Sequence, residues 1–179
     1  FWVYLALIFI AGSLAFTFQL GNAYLFDWDE INFAEAAREM IITKDYFKVH
    51  INFEMFWEKP PVFFWLQALS FKAFGITAFA ARLPNAMIGV ASLLIVFSIG
   101  RQLRNTRFGI YWVLALSGSI LPHFYFKTGI IDPTLNFLIF ISIYFLFKYY
   151  QRFDGKNIKH HFIALAGIFT GIAILTKGP

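Results

Sequence analysis

Eight of the chain's ten acidic residues fall between Asp27 and Glu58, in a polar stretch that interrupts otherwise apolar runs. Ionised groups are costly beside hydrocarbon, so carboxylates clustered next to membrane-like segments mark a place where chemistry is expected. Within the cluster, Asp29 and Glu30 stand where the first apolar run ends and a helical pattern begins. One reading makes Asp29 the helix N-cap and Glu30 a first-turn acid favoured by the helix dipole, together contributing about 1–2 kcal/mol. The other makes Asp29 a base, or a carboxylate that orients an attacking hydroxyl. The two readings are compatible.

Asp132 precedes Pro133 at the start of a later apolar run. Asp followed by Pro suits a cap and a first helical position. Between Arg107 and Lys148, however, the only formally charged residues are Lys127 and Asp132. An acid at the centre of a membrane helix costs about 2.5–3.5 kcal/mol, against about 1 kcal/mol returned by a cap. Ser or Asn would serve as a cap alone, which makes Asp132 the second candidate carboxylate. Glu58-Lys59-Pro60-Pro61 is a third signal. The residue before a proline is pushed into extended geometry, and two prolines stiffen the corner. Lys59 then projects beside the free N–H groups of Val62 and Phe63 at a helix start, a ready site for an anion. The competing reading is a lysine that snorkels among lipid head groups.

The elements that must position these residues follow from composition. A chain 59% hydrophobic and 21% aromatic, with 25 phenylalanines, has too little polar surface to coat a soluble globule of its size. Apolar runs at about 1–24, 84–100, 108–126, 133–150 and 161–176 approach or reach the roughly 17–25 residues that a membrane span needs. The segment 60–75 opens with two prolines and contains Gln67, Trp65 and Lys72, which suits an interfacial helix. The short basic segments Arg101–Arg107 and Lys148–His161 are placed in the cytoplasm by the positive-inside rule. Residues 123–132 then lie outside, together with about 25–83 if the segment 60–75 does not cross. Glu30 to Ile42 reads as a surface helix with Phe33, Ala37, Met40 and Ile41 on its apolar face.

The expected fold is therefore an all-α polytopic membrane protein, with about five transmembrane helices and interfacial helices in the first outer loop. Residue 1 lies inside an apolar run and Lys177-Gly178-Pro179 reads as a loop, so a longer parent chain is expected. The formal charge of +5 is accounted for by cytoplasmic flanks, which leaves no signal for nucleic acid. With no cysteine, disulfide and thiolate chemistry are absent from this sequence.

Taken in order, the outer Asp29-Glu30, AEAAREM at Ala34–Met40, WEKPP at Trp57–Pro61, Phe74-Gly75, AARLPNA at Ala80–Ala86, Asp132 and the terminal KGP resemble one family along the whole chain. They are similar to the N-terminal third of GT-C glycosyltransferases, in the aminoarabinose lipid A transferase-like branch related to protein O-mannosyltransferases. The resemblance implies that 1–179 is the N-terminal part of a GT-C transmembrane domain in a bacterial inner membrane. It implies transfer of a sugar from a polyprenyl-phosphate carrier to a lipid or protein acceptor at the periplasmic face. By the same resemblance, Asp29 and Asp132 are catalytic, Glu30, Lys59, Arg38 and Arg82 bind substrate, and Glu58 is a ligand for a divalent metal if one is used. Relatives acting on lipid A often show a basic residue then Tyr where this chain has Asn32-Phe33, so the acceptor stays open. The alternative class is an ion- or proton-coupled secondary transporter using Asp29 and Asp132. Such proteins place carboxylates at the membrane midplane, whereas here the acids gather in an outer segment.

Overall fold

A computed structural model describes residues 1–26, 28–151 and 160–178. Asp27, Pro179 and the basic residues Arg152, Lys156 and Lys159 of the expected cytoplasmic segment lie outside the described residues. Among the described residues the chain forms eight helices and one two-stranded hairpin. They are α1 (Trp2–Thr17), α2 (Trp28–Thr43), β1 (His50–Ile51), β2 (Glu54–Met55), α3 (Val62–Phe74), α4 (Ala78–Leu103), α5 (Thr106–Gly118), α6 (Ile120–Tyr125), α7 (Asp132–Tyr150) and α8 (His161–Lys177).

Two of the five expected spans are recovered at full length. Among the described residues two helices, α4 with 26 residues and α7 with 19, are long and apolar enough to cross a membrane, while α1 has 16 residues and α8 has 17. Two departures have clear causes. The run 1–24 stops being helical at Thr17 because Gln19 adopts φ 55, and the carbonyls of Leu20, Ala23 and Tyr24 bond the Arg82 guanidinium instead of helix N–H groups. The run 108–126 breaks at Ser119, which is extended at φ −78, ψ 129. Pro122, three residues on, falls in the first turn of α6, where a missing N–H costs no intrahelical bond, so the break before it is tolerated. In the opposite sense, α4 begins six residues before the expected start at 84. Thr77 caps it by accepting the Ala80 N–H at 3.2 Å, and the helix continues through Pro84.

The short hairpin was not anticipated by an all-α reading. Its turn residues Asn52 and Phe53 are left-handed at φ 57 and 63. The buried Glu39 carboxylate of α2 accepts the Phe53 N–H at 3.0 Å and fixes the turn.

One apolar core joins α1, α4, α5 and the segment after α6 through Phe16, Leu93, Phe97, Val113 and Phe126. The α4–α5 crossing is close because Gly100 faces Gly109: a Cβ on Gly100 would lie 2.8 Å from the Gly109 Cα, and one on Gly109 2.7 Å from the Phe97 carbonyl oxygen. A second core packs α2 on α3 through Phe33, Met40, Phe63 and Phe64, with Ile131 inserted between them. α7 and α8 form a hairpin closed by the Ser142 hydroxyl, which donates to the Ala166 carbonyl at 3.0 Å. α3 is about 20 Å long at 1.5 Å per residue, short of a hydrocarbon core of about 30 Å. Pro60 and Pro61, which lead into it, share a cavity with Gly178 at the end of α8, and its last turn leads within three residues to the start of α4. α3 thus begins and ends at one end of the helix bundle.

Candidate active site at one end of the bundle

The first acid of the AEAAREM helix region to be fixed is Glu30, which is 1% exposed. Both its oxygens are occupied. Oε1 accepts Arg82 Nε at 2.8 Å and the Gly129 N–H at 2.7 Å; Oε2 accepts an Arg82 terminal nitrogen at 2.8 Å and the Phe26 N–H at 2.9 Å. Arg82, 2% exposed, spends its remaining donors on the carbonyls of Leu20, Ala23 and Tyr24, and its guanidinium faces the Phe26 ring. A buried carboxylate and guanidinium are tolerable only when paired in this two-pronged way with the leftover donors satisfied. Expected as substrate ligands, Glu30 and Arg82 are consumed by each other and by backbone. They tie together the end of α1, the start of α2, the start of α4 and the segment before α7.

Asp29 differs from its neighbour. It lies inside the first turn of α2, which starts at Trp28, so the expected capping position is not where it sits. Its carboxylate is exposed, and among the described residues no hydrogen bond or ion pair engages it. The fixed Glu30 therefore holds an available carboxylate one residue away.

Asp132 is not a cap either. α7 begins at Asp132 itself, Ile131 takes the capping position, and no side chain bonds the helix start. The Asp132 carboxylate instead accepts a hydrogen bond from Lys177 at the end of α8, and both side chains are partly exposed. Asp132 comes three residues after Gly129, whose N–H is bound to Glu30. Thus the two acidic regions share one end of the bundle.

Lys59 and Glu58 lie at the double-proline corner and line a cavity of about 550 Å³ with Lys48, Trp57, Pro60, Pro61 and Gly178 among its walls. No side chain caps the start of α3. Among the described residues neither Lys59 nor Glu58 forms an ion pair or side-chain hydrogen bond, so this corner keeps an uncommitted cation facing open space. No group of three His, Asp or Glu side chains able to hold a metal occurs among the described residues. Arg38 pairs with Glu35 one turn earlier on α2, with Nε to the carboxylate at 2.8 Å. That hydrogen bond, opposed by partial burial, holds the Glu35 carboxyl below the ordinary glutamate range.

A path of chain neighbours, hydrogen bonds and one shared cavity therefore links Asp29, Glu30, Arg82, Asp132, Lys59 and Glu58, and leaves Arg38 aside with Glu35. Asp29 adjoins Glu30, Glu30 binds Gly129, Asp132 follows and pairs with Lys177, and Gly178 shares a cavity with Lys59. Three participants were not expected from the sequence. Lys177 was read as part of a trailing loop, and Lys48 carried no motif. Asn85 lay inside AARLPNA without a role, although a buried amide within an apolar helix is itself a signal of a specific hydrogen-bonding task.

A protein of Proteus mirabilis (strain HI4320) named undecaprenyl phosphate-alpha-4-amino-4-deoxy-L-arabinose arabinosyl transferase 2 is 27% identical over 98% of this chain and 31% of its own length. An uncharacterized protein of Aquifex aeolicus (strain VF5) is 26% identical over 97% of this chain and 34% of its own. The chain thus spans about a third of the length of these relatives. Crystal structures of ArnT from Cupriavidus metallidurans, one in the apo state and one bound to undecaprenyl phosphate, superpose with a TM-score of 0.86 at 25% identity. They cover 97% of this chain and 32% of that one. Residues 58–179 match the family model described as dolichyl-phosphate-mannose-protein mannosyltransferase. The chain belongs to that family, within its GT-C, aminoarabinose transferase-like group.

Proposed function

We propose that this chain forms the donor-side part of a glycosyltransferase that moves a sugar from a polyprenyl-phosphate carrier to an acceptor at the periplasmic face of a bacterial inner membrane. The observation that carries the reading is the path joining Asp29, Asp132 and Lys59 at one end of the bundle, with Asp29 and Lys59 both unengaged. A similar structure was solved with undecaprenyl phosphate bound, which supports a carrier of that class here.

The chemistry follows from where charge develops. As the bond between the sugar's anomeric carbon and the carrier phosphate oxygen breaks, its electron pair leaves with the phosphate. Lys59 and the uncapped start of α3 neutralise that growing charge. The acceptor hydroxyl oxygen forms the new bond to the anomeric carbon, and its proton passes to Asp29. A single displacement of this kind inverts the anomeric configuration. Asp132, held by Lys177, lines the same end and offsets positive charge on the sugar. The acceptor is a lipid A-like glycolipid or a protein. The placement of both acids at helix starts, not mid-helix, gives no support to a transporter.

The test uses the full-length protein in proteoliposomes with radiolabelled polyprenyl-phosphate sugar and a bacterial envelope extract as acceptor. Wild type is expected to consume the donor and label an acceptor, and Asp29→Asn to lose at least about 10²-fold of that rate while remaining folded. Donor left intact by the wild type contradicts the reading; full activity of Asp29→Asn removes Asp29 from the chemistry.

A further inference from the structure

The short segment that ends at Asp132 is held by buried polar side chains from three different helices. Asn85 of α4 donates through Nδ2 to the carbonyls of Thr128 at 2.7 Å and Ile130 at 2.6 Å. Glu30 of α2 accepts the Gly129 N–H at 2.7 Å, and Gln67 of α3 donates to the Gly129 carbonyl at 3.4 Å. The Asn85 Oδ1 accepts the hydroxyl of Thr134, in the first turn of α7, at 2.9 Å. Asn85 and Gln67 are fully buried and Thr134 is 2% exposed. Gly129 leaves no slack, since a Cβ there would lie 3.2 Å from Glu30 Cγ and 3.3 Å from the Ala81 carbonyl.

Two donors and one acceptor on one short side chain are what this junction requires. Asn supplies them; Asp, Leu and Ser do not. The amide's orientation is settled by its surroundings, because the reversed amide would set its oxygen against two carbonyls. Buried polar networks commonly cost more than apolar packing, so one focused on three residues of irregular backbone invites a reason. The segment's outlet supplies it. Asp132 follows after Ile131 alone, is not used as a cap, and is offered to Lys177 at the edge of the site.

We infer that Asn85 is a positioning residue for Asp132: it locks the Thr128–Ile130 backbone and, through Thr134, the first turn of α7, so that the Asp132 carboxylate has one location. This rests on the proposed glycosyl transfer for its kinetic readout, but the positioning itself is measurable without activity.

The experiment uses the full-length protein in proteoliposomes with two readouts. In the kinetic one, Asn85→Leu is expected to lower kcat per folded molecule by about 10²-fold, the scale of a 1 Å misplacement, with KM for the polyprenyl-phosphate donor changed little. Thr134→Val should lower kcat about tenfold, one hydrogen bond's worth, and Thr134→Ser should restore it. The decisive comparison is in the Asp132→Asn background, where Asn85→Leu should cause almost no further loss, because its effect runs through Asp132. Equal fold-losses in the two backgrounds would make Asn85 a general packing residue and overturn the inference.

The activity-independent readout is cross-linking of a 132–177 cysteine pair by a short bis-methanethiosulfonate reagent. Asn85→Leu should slow it by about tenfold, which corresponds to about 1.4 kcal/mol of lost preorganisation, and unchanged cross-linking refutes the inference. Should the wild type transfer no sugar, the glycosyltransferase reading fails while this second readout still decides the positioning role.

Discussion

Removing the guanidinium of Arg82 should destabilise the protein more than any other single change in this region. Glu30 is 1% exposed and all four of its contacts run to Arg82 or to backbone N–H groups. With Arg82→Met the carboxylate stays buried but loses its countercharge, and breaking such a pair from one side costs about 3–5 kcal/mol. The carbonyls of Leu20, Ala23 and Tyr24 lose their donors at the same time. Leu20 is 3% exposed, so its carbonyl has little access to water, whereas Tyr24 is 95% exposed and can be rehydrated. Glu30→Met leaves the guanidinium without its anion, with a similar cost. The double variant removes both charges, so its loss should fall short of the sum of the singles by about 2–3 kcal/mol. The assay is unfolding in mixed micelles by titration with sodium dodecyl sulfate, read by tryptophan fluorescence, for wild type, the two singles and the double. Strict additivity, or a cost below about 1 kcal/mol for Arg82→Met, would refute the claim that this ion pair organises the site.

Two further expectations follow from the same geometry. Lys59→Ala should raise KM for the polyprenyl-phosphate donor by about 10–100-fold, the worth of one charge-assisted contact, whereas Lys72→Ala should change it little. The Lys72 ammonium is already placed over the Tyr46 ring at 4.4 Å, away from the double-proline corner, and equal effects in a donor-binding titration would make Lys59 an ordinary anchor. Acid should loosen the outer segment through Glu35. Its carboxyl is held low by Arg38, so the pair's stabilisation is complete above the ordinary glutamate range and is lost as pH falls through the lowered value. Arg38→Gln should remove that acid-dependent step from a pH series of thermal unfolding, and an unchanged step would assign it elsewhere.

Much of the site was legible because charge is scarce in this chain. Asp29, Lys59 and Asp132 stand out against apolar surroundings, and the structure brings all three to one end of the bundle. What could not be read was which acid is free and which is spent. Glu30 and Asp29 are adjacent and chemically alike, yet the approach of Arg82, 52 residues away, consumes one and leaves the other. That pairing is a long-range fact with no local pattern. The helix ends depart from the apolar runs for a related reason. Residues 20–24 are apolar enough to continue a helix, but their carbonyls have a better partner in Arg82 than in the next turn. The run expected from 84 starts earlier, at Ala78, because Thr77 supplies a cap further back, and Pro84 lies inside α4. The run 108–126 divides between Gly118 and Ile120, just before Pro122. Lys177 could be recognised as Asp132's partner only once α7 and α8 were seen to form a hairpin with opposite ends together.

The most direct test of the whole arrangement is sidedness. These 179 residues hold no cysteine, so in a full-length protein freed of any cysteine elsewhere single cysteines placed at Asp29, Asp132 and Arg104 are unambiguous reporters. In sealed, right-side-out vesicles a membrane-impermeant maleimide should label the first two from outside and reach Arg104→Cys only after the vesicles are opened. Labelling of the positions 29 and 132 from opposite faces would contradict a shared site, and with it the assignment of these two carboxylates to one reaction.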